Sequence, residues 1–450
     1  MQQSLLTPKA LLARNPSRGG SGPLSRRRSS LLAPALVPAL LALPGCGEDP
    51  VPPPTQNLAE LTVPAEEGSE IPNLLASNDG FFLSWFQEDG DGHALQFDRL
   101  GVAADGASPE NSDWHGVRTI AEGDDFFVNW ADVPSMARFP DGSLAAHWLV
   151  RSGPGPVDYD IHLARSEDEG ETWSDAVVPH RDGFQTEHGF VSLFHWEDEA
   201  LGLAWLDGRE IAQAAEAEAS GEDPTSSPAM TLRFTTFDEG GELGSDDLLD
   251  GQVCDCCPTS AAVTDQGPVV VYRDRTGDEI RDISIIRHLA DGWSEPMTVH
   301  DDGWEISACP VNGPMVSAQG DRLAVAWYTG ADDDPRVLVA FSQDAGESFT
   351  EPVRVDGGNP LGRAATDLLP SGDALVAWLE EEDEDAALQV RRISPDGGMS
   401  SPETVGRSAA SRAAGFPRMA RHEDLLLFAW TDARGEAPEV RAATARVPSP

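Results

Sequence analysis

The sequence predicts an all-β protein, a seven-bladed β-propeller made of four-stranded antiparallel blades. A short apolar strand centred on an aromatic residue recurs seven times, at intervals of 51 to 67 residues. The aromatic residues are Trp85, Trp148, Trp205, Tyr272, Trp327, Trp378 and Trp430. Short apolar runs with this period, separated by turns rich in Gly and Asp, are typical of propeller blades. A six-bladed ring is the alternative count.

Prolines mark the predicted start of the innermost strand of each blade. In five of the seven repeats a proline stands 13 or 14 residues before the aromatic residue, at Pro72, Pro134, Pro258, Pro314 and Pro417. A proline at the first residue of a strand removes no ladder hydrogen bond. The prolines therefore set the same register as the aromatic residues.

The remaining strands follow each aromatic strand in order. A third strand is predicted at 160–165, 282–287, 336–341 and 387–392, and a Gly/Asp turn leads from it to an outer strand. The seventh repeat ends after its third strand, whereas the segment 58–63 precedes the first repeat and has no blade of its own. We expect 58–63 to be the outer strand of the last blade, because this pairing closes the ring and removes free sheet edges.

Two turns after third strands share one pattern of residues, Ser-x-Asp-x-Gly-x-Thr/Ser-Trp/Phe. The patterned residues are Ser166, Asp168, Gly170 and Trp173 in the first turn, and Ser342, Asp344, Gly346 and Phe349 in the second. We expect the Asp carboxylate to accept hydrogen bonds from turn amides, the Gly to take a positive φ, and the aromatic ring to pack between blades. The pattern resembles the Asp-box of the sialidase superfamily, which implies a propeller fold and places these turns on its periphery.

The resemblance also implies a set of catalytic groups to look for. Sialidases use three arginines to hold a carboxylate, a tyrosine nucleophile with a glutamate partner, and an aspartate acid/base. This chain has Glu70 where the first arginine would stand, before Ile71-Pro72. Of its three tyrosines, Tyr272 occupies a core aromatic position, Tyr328 follows Trp327, and Tyr159 is predicted in a loop. An exo-sialidase is therefore disfavoured, and whether the protein is an enzyme stays open.

Two groups of polar residues are candidates for binding a ligand. The first follows the Tyr272 strand and comprises Arg273, Asp274, Arg275, Arg281 and Asp282. It could clamp an anionic or sugar ligand, or it could form a network of turn salt bridges. The second group stands close to the blade-start prolines and should face the channel mouth: Asp132, Glu187, His188, Asp255, Asn312, Arg363 and Arg418. Such a mixed polar set suits a ligand pocket, but it also suits a hydrated channel.

Four cysteines fall in the loops before two adjacent blades. Cys254, Cys256 and Cys257 precede Pro258, and Cys309 precedes Pro314, so we expect them to be neighbours in space. In an exported protein a disulfide between Cys309 and the triplet is the first interpretation. The alternative is a thiolate site for Cu(I) or Zn²⁺.

The N-terminal region has the layout of an export signal. Three arginines at 26–28 precede an apolar run at 31–43, which ends in Leu-Pro-Gly before Cys46. The layout resembles the lipobox of bacterial lipoproteins, which implies a signal peptide at 1–45 and a lipid-modified Cys46. The Pro-rich segment 46–57 is predicted to be an extended tether, and 58–450 the propeller.

Composition narrows the class of partner. The formal net charge is −46, and no lysine follows Lys9. Phosphate binding depends on clustered Lys and Arg, so nucleic acids are excluded as partners. No cofactor is required, although loop aspartates could hold Ca²⁺ weakly. We expect a lipid-anchored module of the bacterial envelope, facing the periplasm or the cell surface, that binds a glycan or an envelope protein at the channel face. A glycoside-active enzyme, hydrolase or lyase, and a structural scaffold are the alternatives.

Overall fold

The structure is a computed structural model that describes residues 51–102, 109, 113–196, 199–221 and 228–448. Its strands form seven consecutive antiparallel sheets. The innermost strand of each sheet contacts the innermost strands of the sheets before and after it, and the last contacts the first. The described chain is therefore a closed seven-bladed β-propeller, which confirms the predicted fold. The predicted signal peptide and Cys46 lie outside the described residues. Within the described part of the chain, no helix has the length and apolar character needed to cross a membrane.

Most blades contain four strands, which run from the channel outward. The first blade consists of β2 (Ser69–Ser77), β3 (Gly80–Asp89), β4 (Gly92–Gly101) and β5 (Arg118–Gly123). The second consists of β6 (Ser135–Arg138), β7 (Leu144–Arg151) and β8 (Tyr159–Ser166). The third consists of β9 (His188–His195), β10 (Ala200–Asp207), β11 (Met230–Asp238) and β12 (Asp247–Val253). The second blade has three named strands, and a single bridge between Leu163 and Val177 stands in place of the fourth.

The remaining blades follow the same order. They consist of β13 (Ser260–Thr264), β14 (Gly267–Arg273), β15 (Ile283–Leu289), β16 (Gly292–Trp293) and β17 (Met297–His300); β18 (Met315–Gln319), β19 (Arg322–Thr329), β20 (Arg336–Ser342) and β21 (Val353–Arg354); β22 (Pro360–Leu368), β23 (Ala374–Glu382), β24 (Asp385–Ile393) and β25 (Glu403–Ala409); and β26 (Arg418–His422), β27 (Leu425–Asp432) and β28 (Glu439–Arg446).

The first strand of the described chain completes the last blade. Strand β1 (Gln56–Leu61) pairs antiparallel with β28, with Leu61 opposite Ala442. The closure is as predicted, but the strand begins and ends two residues earlier than the predicted 58–63. The shift has a local cause, because the carbonyl of Thr62 accepts a hydrogen bond from Trp114 Nε1 at 2.9 Å.

The repeated aromatic residues fill the spaces between blades. Trp85, Trp205, Trp327 and Trp378 are fully buried, and Tyr272 is also fully buried. Several of the indole N–H groups end on a carboxylate; that of Trp205, for example, donates to Asp207 at 2.9 Å. A buried indole N–H usually finds such a partner, and these rings contribute apolar area at little polar cost. Trp85 is the exception among them, because its Nε1 is buried without a hydrogen-bond partner among the described residues.

The two patterned turns have matching hydrogen bonds. In the first turn, Asp168 accepts from the Thr172 amide at 2.8 Å and from its hydroxyl at 2.6 Å. In the second, Asp344 accepts from the Ser348 amide at 2.9 Å and from its hydroxyl at 2.6 Å. Gly170 has φ +87° and packs on Phe97 of the preceding blade. Each turn thus braces one blade against the one before it.

One insertion between strands of the third blade contains a helix. Its first residues, rich in Ala and Glu, form α1 (Arg209–Ser220). Alanine and glutamate favour the helix, and Gly221 ends it in the left-handed conformation. Arg209 in its first turn is anchored by ion pairs to Asp207 at 2.6 Å and Asp246 at 2.9 Å.

Candidate functional site

The channel mouth is built from residues in an uncommon backbone conformation. Near the start of four inner strands one residue has a positive φ: Ile71, Phe190, Val311 and Arg363. A side chain of the preceding blade accepts the amide N–H of three of them. Asp132 Oδ1 accepts from Phe190 at 2.8 Å, Asn312 Oδ1 from Arg363 at 2.7 Å, and Thr431 Oγ1 from Ile71 at 3.1 Å. Strained backbone of this kind persists only where its surroundings hold it, and it concentrates at functional sites.

Tyr159 joins two carboxyl groups between the second and third blades. Its hydroxyl lies 3.0 Å from Asp132 Oδ2 and 3.1 Å from Glu187 Oε1. Its ring stacks on Phe127, with centroids 3.9 Å apart. The close approach depends on Gly189, since a Cβ there would overlap the Asp132 carboxylate. Tyr159 and Asp132 are buried, whereas Glu187 is partly exposed to the mouth.

The protonation states of Tyr159, Asp132 and Glu187 depend on one another. A tyrosine hydroxyl has one proton, so it can donate to only one of two carboxyl groups. The second carboxyl must then be protonated and donate to the hydroxyl oxygen. Burial, reinforced by the charge of Asp132, raises the pKa of Glu187 to about 8. Burial raises the pKa of Asp132 to about 7. Near neutral pH the favoured arrangement is therefore a protonated Glu187, with Tyr159 donating to the Asp132 carboxylate.

His188, the residue after Glu187, belongs to a buried charged cluster. His188 is fully buried and stacks on His180 with centroids 3.6 Å apart. Its Nε2 lies 3.2 Å from Asp182 Oδ2. Burial lowers the pKa of His188, but the nearby carboxylates of Asp160, Asp182 and Asp207 outweigh it and raise that pKa to about 9. His188 is thus a buried cation held in place by carboxylates.

The opposite side of the mouth carries arginine and aromatic groups. The Arg363 guanidinium lies 4.8 Å from the centroid of Trp130 and donates to the carbonyl of Ser411 at 2.9 Å. Trp130 stacks on Phe416 of the seventh blade. A cavity of about 280 Å³ lies along the channel, and both Asp132 and Arg418 line it. Burial lowers the pKa of Arg363 and of Arg418 to about 10.

The group around β14 is occupied by internal contacts. Arg273 is buried and donates to the carbonyls of Asn312 at 2.8 Å and Tyr328 at 2.6 Å. Asp282 accepts from the amides of Gly303 and Trp304, and Asp274 from the Ser284 hydroxyl. Arg275 pairs with Asp255 at 3.1 Å and with Glu279 at 2.7 Å. These contacts correspond to the turn network rather than to an open clamp.

The structure thus separates the predicted candidates into three places. Asp132, Glu187 and His188 meet between the second and third blades. Asn312, Arg363 and Arg418 lie toward the channel and the later blades. The β14 group borders the four cysteines, all of which are free thiols in the described chain, so no described pair forms the predicted disulfide.

Tyr159 is the residue that sequence reasoning missed. It was predicted in a loop, yet it is the first residue of β8 and forms a parallel bridge with Glu187. A usable signal existed, because the third strand of a propeller blade begins at the same end of the blade as the inner strand. A tyrosine at that position therefore lies at the same end of the propeller as the mouth.

Comparison with known proteins finds similar folds but no protein family for this chain. No family model matches the sequence, and no curated protein matches it. Among solved structures, an ulvan lyase of a new polysaccharide lyase family, bound to -[GlcA(1-4)Rha3S]-, is 11% identical over 86% of this chain and 96% of its own, with a TM-score of 0.52. The polysaccharide lyase Uly1 is 11% identical over 85% of this chain and 90% of its own, with a TM-score of 0.46. The NanB sialidase from Streptococcus pneumoniae is 10% identical over 82% and 84%, with a TM-score of 0.44. At these identities the chain is similar to glycan-acting propellers in fold alone.

Proposed function

We propose that this protein is a glycan-active enzyme, a hydrolase or lyase, that transfers a proton at the channel mouth from Glu187, which Tyr159 and Asp132 hold in place. The observation that carries the proposal is the Tyr159 hydroxyl placed 3.0 and 3.1 Å from two carboxyl groups. Groups whose pKa is shifted toward the working pH are the usual requirement for general acid–base catalysis. A solved structure with this fold is bound to a polysaccharide fragment, which makes carbohydrate the first substrate class to test.

The exposure of each of the three residues indicates its role. Glu187 is the group that reaches the mouth, so it is the acid that can give its proton to a glycosidic oxygen. Tyr159 lies behind it and keeps its own proton, because burial and the two carboxyl groups raise the pKa of Tyr159 well above its ordinary value. Its hydroxyl orients Glu187, which regains its proton from solvent at the mouth. Asp132 is buried and keeps Tyr159 oriented, which makes it a positioning residue.

Binding without turnover is the second candidate. It is favoured by the burial of Tyr159 and Asp132, which are each 1% exposed. In that case the mouth recognises a sugar through Glu187 and the aromatic rings, and the buried groups serve the fold.

Tyr159→Phe separates the two candidates. Phenylalanine keeps the ring that stacks on Phe127 and removes only the hydroxyl. Purified full-length protein is incubated with a panel of polysaccharides, and release of reducing ends or of unsaturated products is measured. Loss of acid–base catalysis should lower kcat by roughly 100-fold or more while the melting temperature changes little.

Tyr328→Phe is the matched control, because Tyr328 is a partly buried tyrosine of the fifth blade that contacts Trp304. It should retain full turnover. A wild-type protein that binds a glycan but never cleaves it, with equal affinity in both variants, would establish the binding module instead.

We also propose that the protein is exported and anchored to a membrane through Cys46, with 46–57 as its tether. The support is the order of basic residues, apolar run and Leu-Pro-Gly-Cys at 26–46. Cells that express the chain are fed a labelled fatty acid, and the protein is then isolated. Label should enter the wild type and be absent from Cys46→Ser; equal labelling of both would refute the anchor.

A further inference from the structure

We propose that Cys254, Cys256, Cys257 and Cys309 form a binding site for a thiophilic d¹⁰ metal ion, Zn²⁺ or Cu(I), at the rim of the channel mouth. The proposal does not depend on the glycan proposal, although Cys309 also faces Glu187. It rests on three mutually close sulfur atoms, on a fourth cysteine in the loop of the next blade and on the charges around them.

Three of the thiols converge on one point. The sulfur atoms of Cys254, Cys256 and Cys257 all lie within 4.8 Å of one another. Cys254 and Cys257 are 3.5 Å apart. A disulfide has an S–S length of about 2.0 Å, so this distance is not a bond. Two thiolates on one tetrahedral zinc ion lie about 3.8 Å apart, because each Zn–S bond is about 2.3 Å long. The observed spacing is close to that of co-ligands.

The fourth thiol comes from the next blade. Cys309 lies on the loop that precedes β18 and interacts with Cys256, but it stands outside the group of three sulfur atoms that are all within 4.8 Å of one another. Gly313 makes this possible, because a Cβ at that position would overlap the carbonyl oxygen of Pro258. Arg273 holds the same loop through the carbonyl of Asn312. The fold therefore presses the two cysteine loops together with backbone contacts that do not require a disulfide.

The surroundings suit thiolates. The guanidinium of Arg281 donates from Nη1 to Cys254 Sγ at 3.2 Å, and Arg281 is itself held by Glu279 at 2.8 Å. Donors to ligand sulfur are the outer contacts that orient a metal site and offset its negative charge. Thiolate sulfur in turn selects Zn²⁺ and Cu(I) over the harder Ca²⁺ and Mg²⁺.

The cysteines differ in exposure, which leaves a path for the ion from solvent to the site. Cys254 and Cys257 are buried, Cys256 is partly buried and Cys309 is exposed. Three ligands therefore stand inside the protein, and the fourth can close over the ion from the solvent side. A structural zinc site uses four such ligands, whereas Cu(I) is satisfied by two or three.

The test uses full-length protein, isolated without oxygen, reduced with a phosphine and stripped of metal. All samples carry Cys46→Ser, so that the N-terminal thiol does not contribute. Zn²⁺ and Cu(I) are titrated separately against a competing chromophoric chelator, and bound metal is counted by elemental analysis. Co²⁺ is added in a parallel sample, since its absorption spectrum reports tetrahedral thiolate ligation. We expect one ion per chain and sulfur-to-cobalt charge-transfer bands.

The variants avoid the two fully buried cysteines, whose replacement could disturb folding. Cys256→Ser should weaken metal binding by roughly 100-fold and Cys309→Ser by roughly tenfold. Asp278→Asn, which removes an exposed acid from the neighbouring turn, should bind as the wild type does. Preference for one ion over the other identifies the resident metal. Binding that is unchanged in Cys256→Ser, absence of binding by both ions, or a disulfide at Cys309 in the protein as isolated, before the phosphine is added, would overturn the proposal.

Discussion

Asp132 and Asn312 make the same kind of hydrogen bond to the backbone in different blades. Each side chain accepts the amide N–H of a residue with positive φ in the following blade, Phe190 and Arg363 respectively. An amide oxygen therefore suffices for the structural part of the task. The carboxyl at position 132 adds something that the fold does not need, namely a titratable partner for Tyr159.

The pH dependence of stability should report the Glu187 proton. The pKa of Glu187 is about 8 in the folded protein and its ordinary value is 4.5, so the folded state keeps a proton that the unfolded chain releases. Stability must then fall as pH rises from about 4.5 to about 8, and level off above that. Asp132, Tyr159, Asp255 and Cys309 face this carboxyl and contribute to the shift.

Glu187→Gln tests this at the residue scale. His188 also loses stabilisation as pH rises through about 9, because its folded pKa is raised above 6.5. That part is common to both proteins, so the difference between wild type and variant isolates Glu187. Thermal melts between about pH 5 and about pH 9 should give a smaller decline in melting temperature for the variant. Parallel curves would mean that Glu187 titrates normally.

At the scale of a single element, each patterned turn acts as a spacer between blades. Gly170 has φ +87° and faces the ring of Phe97, which is buried. Trp173 at the end of the same turn meets that ring edge to face, with centroids 6.3 Å apart. One hairpin tip thus fixes the distance between the first and second blades.

Gly170→Ala should destabilise the protein by two additive effects. The positive φ costs an alanine about 1–2 kcal/mol, and the overlap with Phe97 adds about 1–3 kcal/mol. Gly241→Ala is the matched control, since Gly241 has φ +83° and open space around it. Urea unfolding should show a clearly larger loss for Gly170→Ala. Equal losses would show that the turn does not press on its neighbour.

At the scale of the whole molecule, stability depends on a strand that lies far in sequence from its partners. Leu61 of β1 is 4% exposed and packs with Leu425, Leu427 and Ala442 of the seventh blade. Leu61→Ala should cost about 2–5 kcal/mol in the unfolding of the propeller, as for other buried leucines. Glu60→Ala, on the exposed side of the same strand, should cost less than about 1 kcal/mol. Denaturation followed by tryptophan fluorescence would check both, and similar values would show that β1 does not close the ring.

The architecture could be predicted from the sequence because its aromatic residues recur in every blade. The candidate site could not be predicted, because its residues occur only once. Trp85, Trp205, Trp327 and Trp378 share one environment, so a single physical rule located them all. Tyr159 occurs once, and its partners Asp132 and Glu187 come from different blades. Likewise the Ala- and Glu-rich insertion after β10 became a helix through local propensity, which a search for strands does not weigh.

The seventh blade contains strands from both ends of the described chain, and this affects the order in which the blades fold. Ile71 and Thr431 are hydrogen-bonded across 360 positions, and β1 has no partner until β28 exists. Six blades can collapse locally while the chain is still being made, but the seventh must wait until β28 has been made. Contacts of such long range are slow to form, and until then the first strand offers an unpaired edge. A chaperone that shields residues 56–61 would therefore raise the yield of native protein more than one that binds any interior blade.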